Sequence, residues 1–339
     1  QAFPKLKDSL FKPLREGFYT LAVEKDKIRE KINNDPDFSA YGDSIENAFT
    51  RWKGFADPML REIDTTTKPK TLIGVLSKKI IEVFEPISLI DKYDAYEVLL
   101  SYWNDVMADD VYLLVLEGYD IIRDIEVFKK TTTRKKKDGT ESIQEKETGW
   151  EGRLVSKSLV IEMFFSQEKK AVDDLDVVIE NNKAQLDELI ETAEDDSIIG
   201  EVLKDNGNID KTKLKKMLKD KDIDEEDKAE LNKLQNLLSK VDDGTKTQKR
   251  LLAALDARAR AQYPKLTDEE CLELLLEKKW YRSLLNDVFV LYTSVNHAIT
   301  TRNLELAERY EYALPEIENE ASEYAYRVKK HLESMGFSW

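Results

Sequence analysis

The sequence predicts a mainly α-helical protein with a small β-sheet in its N-terminal part, a long antiparallel coiled-coil hairpin and C-terminal helices. Three observations predict this fold class. Glycine (12 residues) and proline (8 residues) are scarce while 36% of the residues are charged, which is typical of long solvated helices. Apolar residues recur at heptad spacing in the middle of the chain. A few apolar runs of strand length lie in the first half.

The composition limits the classes of function. The chain has 339 residues, enough for two or three ordinary domains, and a formal net charge of -15. Because phosphate binding needs clustered Lys and Arg, any contact with nucleic acid must be local. Cys271 is the only cysteine, and no apolar run approaches the roughly 20 residues of a membrane span. These features predict a cytoplasmic protein without an internal disulfide or a membrane segment.

Residues 1–157 form the first predicted region, a mixed α/β part. Helical spacing of apolar residues in 72–83 and 96–106 predicts two core-facing helices. Asp109 and Asp110 interrupt the second pattern, and we interpret them as a helix stop or cap. The alternative, a pair of acid and base catalysts, is disfavoured because neighbouring residues seldom face one substrate.

Strand-like runs follow in the same region. Residues 111–116 are uninterruptedly apolar, and residues 121–128 alternate between apolar and polar. Residues 150–155 can pair with that second run across the polar stretch 129–148. We therefore predict a small sheet whose connecting loop is residues 129–148.

Residues 158–262 form the second predicted region, the antiparallel coiled-coil hairpin. The outgoing arm has seam residues at alternating steps of three and four, namely Val172, Leu175, Ile179, Asn182, Leu186, Leu189 and Ala193. The returning arm repeats this spacing at Leu231, Leu234, Leu238, Val241, Thr245, Gln248, Leu252, Leu255 and Ala259. Two heptad arms joined by a short segment pack most simply as a helical hairpin. The segment between them, 195–230, predicts short helices and local mobility.

Polar residues occupy three of these seam positions: Asn182, Thr245 and Gln248. Polar seam residues weaken the packing but fix one register against slipped alternatives. They can equally be weak points without that role, and the sequence leaves both interpretations open.

Residues 263–339 form the third predicted region, a set of C-terminal helices. Pro264 ends the returning arm, and Thr267 followed three residues later by Glu270 fits a capping box that starts a new helix. Residues 316–335 predict the last helix, with Gly336 as its C′ residue. Phe337 and Trp339 at the end of the chain are candidates for docking, either onto their own domain or onto a partner.

Motifs that carry chemistry are not found. The sequence holds two histidines, His297 and His331, and lacks metal-ligand spacing, nucleotide-binding glycine loops and a GxSxG elbow. Asp220, Asp222 and Asp224 imitate an EF-hand, but the positions that need Gly and a final Glu do not have them. We predict no catalytic, cofactor-binding or metal-binding residue in this stretch.

One dense basic block offers a local site for an anion. It consists of Lys129, Lys130, Arg134, Lys135, Lys136 and Lys137. In the predicted loop, this block is a candidate for contact with a DNA backbone. A solvated hairpin tip without a ligand is the alternative that the composition allows.

A resemblance to a known family adds to these patterns. Residues 89–112, LIDKYDAYEVLLSYWNDVMADDVY, closely resemble the region that follows the catalytic domain in long-form modification (M) subunits of type I restriction-modification enzymes. Residues 261–267, AQYPKLT, and the segments 306–310 and 331–339 look like the coiled-coil exit and C-terminus of the same family. Together these stretches span most of the chain from about residue 50 onward.

The resemblance implies the C-terminal portion of an adenine-N6 DNA methyltransferase subunit that uses S-adenosylmethionine. Such a subunit works with a DNA-reading specificity (S) subunit, which carries helical spacers, and with a restriction (R) subunit. The implied role is assembly, through the coiled-coil arms and the final helix. The family's [ND]PP[YF] motif is missing, and residues 35–38, DPDF, are only its nearest approach. No catalytic residue is therefore carried over.

Two other classes of protein remain open. Heptads alone equally fit a free-standing coiled-coil adaptor or structural protein. An enzyme with an unfamiliar site in the N-terminal α/β region is the third reading, and it would need a deep pocket with shifted carboxylates near the small sheet.

Overall fold

The structure, a computed structural model, describes residues 3–15, 18–135, 141–193, 197–204, 207–220, 222–309 and 314–337. For residues 4, 14, 15, 18, 132–135, 141–144 and 314–317 this description covers the backbone. The described part is mainly helical with small antiparallel sheets, as predicted. It forms two compact units, residues 1–118 with 276–339 (unit 1) and residues 119–275 (unit 2). This division differs from the three predicted regions, because the polar β-hairpin belongs with the coiled coil.

The α-helices are α1 Pro4–Leu10, α2 Ile28–Asn33, α3 Pro36–Arg61, α4 Pro69–Phe84, α5 Lys92–Tyr102, α6 Ala108–Glu117, α7 Lys157–Phe164, α8 Ser166–Glu191, α9 Ile198–Glu201, α10 Lys211–Met217, α11 Glu225–Gln262, α12 Asp268–Leu272, α13 Arg282–Arg309 and α14 Leu314–Ser334. Wider π turns occupy Trp103–Met107 and Glu273–Tyr281. Short 3-10 turns occupy Lys25–Lys27, Tyr119–Arg123 and Tyr263–Lys265.

Strands β1 Phe11–Arg15 and β2 Phe18–Leu21 form one antiparallel pair, and β3 Ile125–Lys135 and β4 Glu141–Gly152 form another. The predicted pairing of residues near 125–128 with residues near 150 is confirmed. The strands, however, continue through the polar stretch that was predicted to be a loop. Three consecutive β-branched threonines, residues 131–133, favour this extension.

The core of unit 1 lies among long helices. Helix α3 packs against α4, and α13 packs against α2, α3 and α5. Trp52 is fully buried, and its indole N–H donates to the carbonyl of Leu76 at 3.1 Å. The ring of Tyr292 stacks on that of Phe38, with ring centroids 4.6 Å apart. These contacts join segments that are far apart in sequence.

The DPDF segment has a structural role in this unit. Asp35 is the N-cap of α3 and accepts a hydrogen bond from the backbone N–H of Asp37 at 2.9 Å. Pro36 occupies the first helical turn, where a missing N–H costs nothing. Phe38 is buried in the core. The four residues therefore start a helix.

Two predictions about residues 109–116 are wrong. Asp109 and Asp110 do not stop a helix, because the chain stays helical from Lys92 to Glu117 through the π turn. Residues 111–116 are part of α6 and not a strand, since a short apolar run fits either structure. The side chain of Asp110 is buried and accepts hydrogen bonds from Lys279 and Trp280. Trp280 is 170 residues away from Asp110 in sequence, so local spacing could not predict this hydrogen bond.

In unit 2, the base of the β3–β4 hairpin packs on α11. The indole N–H of Trp150 donates to Asp256 at 2.7 Å, and the Trp150 ring meets the Tyr263 ring edge-on at 5.6 Å. The Tyr263 hydroxyl donates to the carbonyl of Val155 at 2.7 Å. Gly152 permits this approach, because a Cβ there would lie 2.0 Å from that same carbonyl oxygen.

Helices α8 and α11 form the predicted antiparallel hairpin. Arg258 pairs with Glu168 at 2.5 Å, and Gln248 donates to Asp176 at 2.7 Å. Because the residue number falls along one helix as it rises along the other, the two arms run in opposite directions. Gly244 sits directly against Ile179, where a Cβ would lie 2.8 Å from the isoleucine Cγ1. The arms are therefore in close contact at their middle.

The predicted seams agree closely with the buried rows. Every predicted seam residue of α8 is buried or half-buried. On α11 the same holds except for Leu252, which is 44% exposed while its neighbour Leu251 is half-buried. The heptad therefore slips by one residue there, and the prediction for Leu252 is wrong.

At the far end of the hairpin, short helices α9 and α10 cover the two arms, as predicted. A buried cluster joins the four elements through Leu186, Ile199, Val202, Leu214, Leu231, Leu234, Leu237 and Leu238. Asp210 caps α10 through the backbone N–H groups of Thr212 and Lys213. The far end of the hairpin therefore has a small hydrophobic core of its own.

Candidate interaction surface

Helix α14 is an amphipathic helix with a defined C-terminal stop. Glu, Ala, Lys and Arg dominate Leu314–Ser334 and favour helix formation. Gly336 adopts a positive φ of 91°. The N–H of Gly336 donates to Glu333, and the N–H of Phe337 donates to Leu332 at 3.0 Å. This pair of bonds is a Schellman motif, and it confirms Gly336 as the C′ residue.

The apolar residues of α14 repeat at heptad spacing. Steps of three and four connect Leu314, Ile317, Ala321, Tyr324, Val328, His331 and Met335. We call these seven positions the α14 seam; His331 is its one ionisable member apart from Tyr324. Tyr324 is 62% exposed, Val328 58% and Met335 72%. Helical seams of this kind are normally covered by another helix, whereas the seam residues from Ala321 to Met335 are exposed.

The two terminal aromatic candidates have different outcomes. Phe337 is 59% exposed, and its backbone closes the Schellman motif after α14. It therefore lies at the end of the exposed seam, and its contact with a partner stays a prediction. Trp339 lies outside the described residues.

The polar residues of the coiled-coil hairpin fall into two groups. Asn182 and Thr245 bond to carbonyl groups of their own helices, those of Val178 and Val241, both at 2.7 Å. Gln248 bonds across the arms to Asp176. Only a bond that crosses the pair can favour one register, so the register-fixing interpretation fits Gln248.

The basic block lies on strand β3 rather than in a loop, which corrects the prediction. Lys129, Lys130, Arg134 and Lys135 belong to β3, of which Arg134 and Lys135 are described by backbone alone. Lys136 and Lys137 lie outside the described residues. The block therefore begins in the paired body of the hairpin.

Strand alternation divides this hairpin into two faces. The inner face holds Trp150 and half-buried Val127, and it continues to Lys129. Lys129 is opposite Glu147 in register, and its Nζ lies 3.4 Å from a carboxylate oxygen of Glu145. On the inner face, Lys129 therefore has acidic neighbours.

The outer face is basic beyond Phe128, which is 47% exposed. Lys130 lies opposite Lys146, both are exposed, and neither has an acidic partner among the described residues. Further along the backbone register, Thr132 is opposite Gln144 and Arg134 is opposite Ser142, and none of these residues is acidic. Like charges directly opposite each other destabilise a strand pair, so an anion bound here would relieve that repulsion.

The buried charges of unit 1 are satisfied within the fold. Asp110 pairs with Lys279 at 2.6 Å and also accepts from Trp280 Nε1 at 2.8 Å. The Tyr102 hydroxyl donates to the carbonyl of Lys279, and burial raises the pKa of Tyr102 to about 12. Burial and the Asp57 carboxylate likewise raise the pKa of Tyr281. The hydrogen bonds of Asp110 and Tyr102 to residues 279–280 therefore link distant helical segments of unit 1.

Carboxylates also line an open groove between α5 and α13. Its lining includes Asp94, Glu97 and Asp287, with Val98, Val290 and Leu291. No strand residue lines it, so it is not the pocket near the small sheet that the enzyme reading would need.

In the described part of the chain, no group of three or more His, Cys, Asp or Glu residues is placed to hold a metal ion. Two acids of the EF-hand-like stretch accept hydrogen bonds from backbone N–H groups. Asp220 accepts from the N–H of Asp222, and Asp224 caps α11 by accepting from Asp227 at 2.8 Å.

Cys271 is buried, and burial raises the pKa of its thiol to about 11. At neutral pH this group is a protonated thiol, because the thiolate is the minor form far below the pKa. A nucleophilic role needs the thiolate. The position of Cys271 in α12 is that of a core residue.

Comparisons with protein-family models, with curated proteins and with solved structures find no match for this chain. In the described segments, no helix has the length and apolarity needed to cross a bilayer. Two exposed surfaces have been described, the α14 seam from Ala321 onward and the outer face of the β3–β4 hairpin. The exposed seam was missed at the sequence level, although its heptad spacing is visible there.

Proposed function

We propose that this chain is the assembly region of the modification subunit of a type I restriction-modification enzyme. In this proposal it docks an S-adenosylmethionine-dependent adenine-N6 methyltransferase onto the specificity subunit, within a cytoplasmic complex that also includes the restriction subunit. The family resemblance of residues 89–112 and of the chain's last segments supports it. No residue of this chain is given a catalytic or cofactor role.

One observation carries the proposal: the seam residues of α14 from Ala321 to Met335 follow a heptad pattern and are exposed. Heptad seams pair with other helices, because each apolar side chain inserts between residues of the facing helix. The resemblance implies that the specificity subunit has helical spacers. A spacer helix laid along α14 would bury Tyr324, Val328 and Met335, which the single chain leaves exposed.

The experiment is co-purification of the whole chain with the specificity subunit encoded beside its parent gene. Val328→Glu places a charge within the seam and is expected to abolish capture. Tyr326→Glu is the matched control, because Tyr326 is also exposed but lies on the opposite side of α14. Failure of the intact chain to capture the specificity subunit would overturn the proposal, as would equal capture by both variants.

A second variant separates the helix from the coiled-coil hairpin. Deletion of residues 158–262 removes both arms and the tip. Capture that survives this deletion would assign docking to α14, and capture that is lost would assign it to the arms as well. The adaptor alternative is distinguished by the parent reading frame, in which an upstream NPPF-type motif supports the methyltransferase subunit.

We also propose a contact between the outer face of the β3–β4 hairpin and a DNA backbone. The observation that favours it is the opposed pair Lys130 and Lys146, for which the described residues provide no acidic partner. Fluorescence anisotropy with duplex DNA across a salt series tests it on the assembled complex. The slope of log K against log salt is negative, and each phosphate contact contributes roughly 0.9 to its magnitude. Replacing both lysines with Gln should therefore reduce that magnitude by about 2. Lys129→Gln on the inner face is the control, and an unchanged slope in the double variant would remove this contact.

A further inference from the structure

The two halves of α14 carry opposite charge. Its first half is acidic through Glu316, Glu318, Glu320 and Glu323, and its second half is basic through Arg327, Lys329 and Lys330. Glu333 is the one acid beyond them. A helix with the same sequence, laid antiparallel, would place each acidic half beside a basic half. The charge pattern therefore fits a second copy of α14.

The seam residues also match in the antiparallel arrangement. The seam has two rows, Leu314, Ala321, Val328 and Met335 in the first and Ile317, Tyr324 and His331 in the second. In an antiparallel pair, residues of the first row face residues of the second row on the other helix. One register sets Ala321 against Tyr324 of the second copy and Val328 against Ile317. A small residue facing a large one lets the two helices interdigitate.

Edge charges select that register among its neighbours. Glu320 and Arg327 flank the seam on the same edge, seven residues apart. In the register just described, Glu320 of each helix meets Arg327 of the other, which gives two ion pairs. A shift of one heptad in either direction sets Glu320 against Glu320 or Arg327 against Arg327. Parallel pairing gives neither ion pair, because these residues would then face Ala325 and Leu332.

These residues are available in the single chain. Glu320 and Arg327 are exposed, and the described contacts of Arg327 stay within its own helix, with Glu323 at 2.5 Å and with the ring of Tyr324 at 5.8 Å. Both members of that pair are more than half exposed, so it does not hold Arg327 away from a second helix. Tyr324, Val328 and Met335 of the seam beside them are also exposed.

We propose that in the free protein a second copy of this chain covers the α14 seam, antiparallel and in the register that joins Glu320 to Arg327. The contact is isologous, so the pair closes on itself without further growth. A consequence rests on the proposed function: the specificity subunit must displace the second copy to reach the same seam. Assembly then depends on the concentration of the free chain.

The experiment is light scattering of the whole chain after gel filtration over a series of protein concentrations. The wild type should form a dimer at the high end of the series. Arg327→Glu should raise the dimer dissociation constant by tenfold or more, because it sets Glu against Glu in both of the former ion pairs. Glu320→Arg combined with Arg327→Glu should restore the dimer, since the ion pairs are rebuilt with exchanged signs. Lys330→Glu changes the net charge equally on the other side of α14 and should leave the dimer intact.

Circular dichroism of each variant checks that helix content is unchanged. A wild type that is monomeric throughout the series would overturn the pairing, and so would a dimer that Arg327→Glu does not weaken or that the exchanged pair does not restore. The two proposals fail separately. A monomer that still captures the specificity subunit overturns only the pairing, whereas a dimer that never exchanges with that subunit overturns only the assembly function.

Discussion

The α8–α11 hairpin and helix α14 carry the same kind of sequence pattern and have opposite environments. In the hairpin, heptad residues such as Ile179 and Leu231 are buried against the other arm. In α14, residues at the same spacing, such as Val328, are exposed. The heptad pattern predicts that a helix has an apolar seam, but it does not predict which helix covers that seam. A seam covered within the chain contributes to folding, and an open one is available for binding.

The largest expected difference between the two seams is in stability. Leu231→Ala removes a fully buried side chain of the hairpin and should lower the free energy of unfolding by about 2 to 5 kcal/mol. Val328→Ala, measured at a concentration that keeps the chain monomeric, should change it by less than about 0.5 kcal/mol. Urea titration followed by circular dichroism compares the two. Equal losses would mean that α14 is packed against its own chain.

Close contact between the hairpin arms gives the next largest effect. Gly244→Ala sets a Cβ 2.8 Å from Ile179 and should destabilise the hairpin by about 1 to 3 kcal/mol. Gly54→Ala in α3 is the matched control, because no atom lies within 4 Å of its Cβ position and alanine favours a helix. The control should gain up to about 1 kcal/mol in the same urea titration. A neutral Gly244→Ala would contradict the tight approach of α8 and α11.

The polar seam residues give a smaller difference. Gln248→Ala removes the hydrogen bond to Asp176 across the arms and should lower the free energy of unfolding by about 0.5 to 1 kcal/mol. Thr245→Val removes a bond within one helix and adds apolar surface to the seam, so it should be neutral or stabilising. If both variants lose equal stability in urea, Gln248 has no special role in the register.

Thiol reactivity distinguishes the two seams without a change in stability. Cys271 is buried, and its pKa is raised to about 11, so a thiol reagent at pH 8 should leave the native protein unlabelled. Val328→Cys should add one fast-reacting thiol when the chain is dilute. Labelling in urea supplies the control rate for both. A slow reaction at position 328 would show that the α14 seam is covered within the single chain.

Much of the hairpin could be predicted because its pattern is local. Steps of three and four mark the seam residues of both arms, and antiparallel packing follows from a short connection. The capping box is equally local, since Thr267 and Glu270 both make the predicted bonds. Leu252 could not be predicted, because one residue of slip in α11 depends on close packing against α8.

Other features depend on contacts between distant residues. Asp110 was interpreted as a helix stop, whereas Lys279 and Trp280 make its burial possible. The charged block at 129–137 was interpreted as a loop, because strand pairing of polar residues carries no apolar alternation. The separation of Lys129 from Lys130 onto different faces needs the register with Glu147 and Lys146. For the α14 seam the spacing is visible in the sequence, but its exposure is not.

Hydrogen exchange of the whole chain, measured by mass spectrometry from dilute to concentrated protein, tests most directly whether the α14 seam is open in the single chain. Amides of α11 near Leu231 should be protected at every concentration. Amides of α14 near Val328 should exchange much faster in dilute protein and become protected as the concentration rises. Protection of α14 equal to that of α11 at the lowest concentration would mean that the seam is covered by its own chain. That result would contradict an open α14 seam in the single chain.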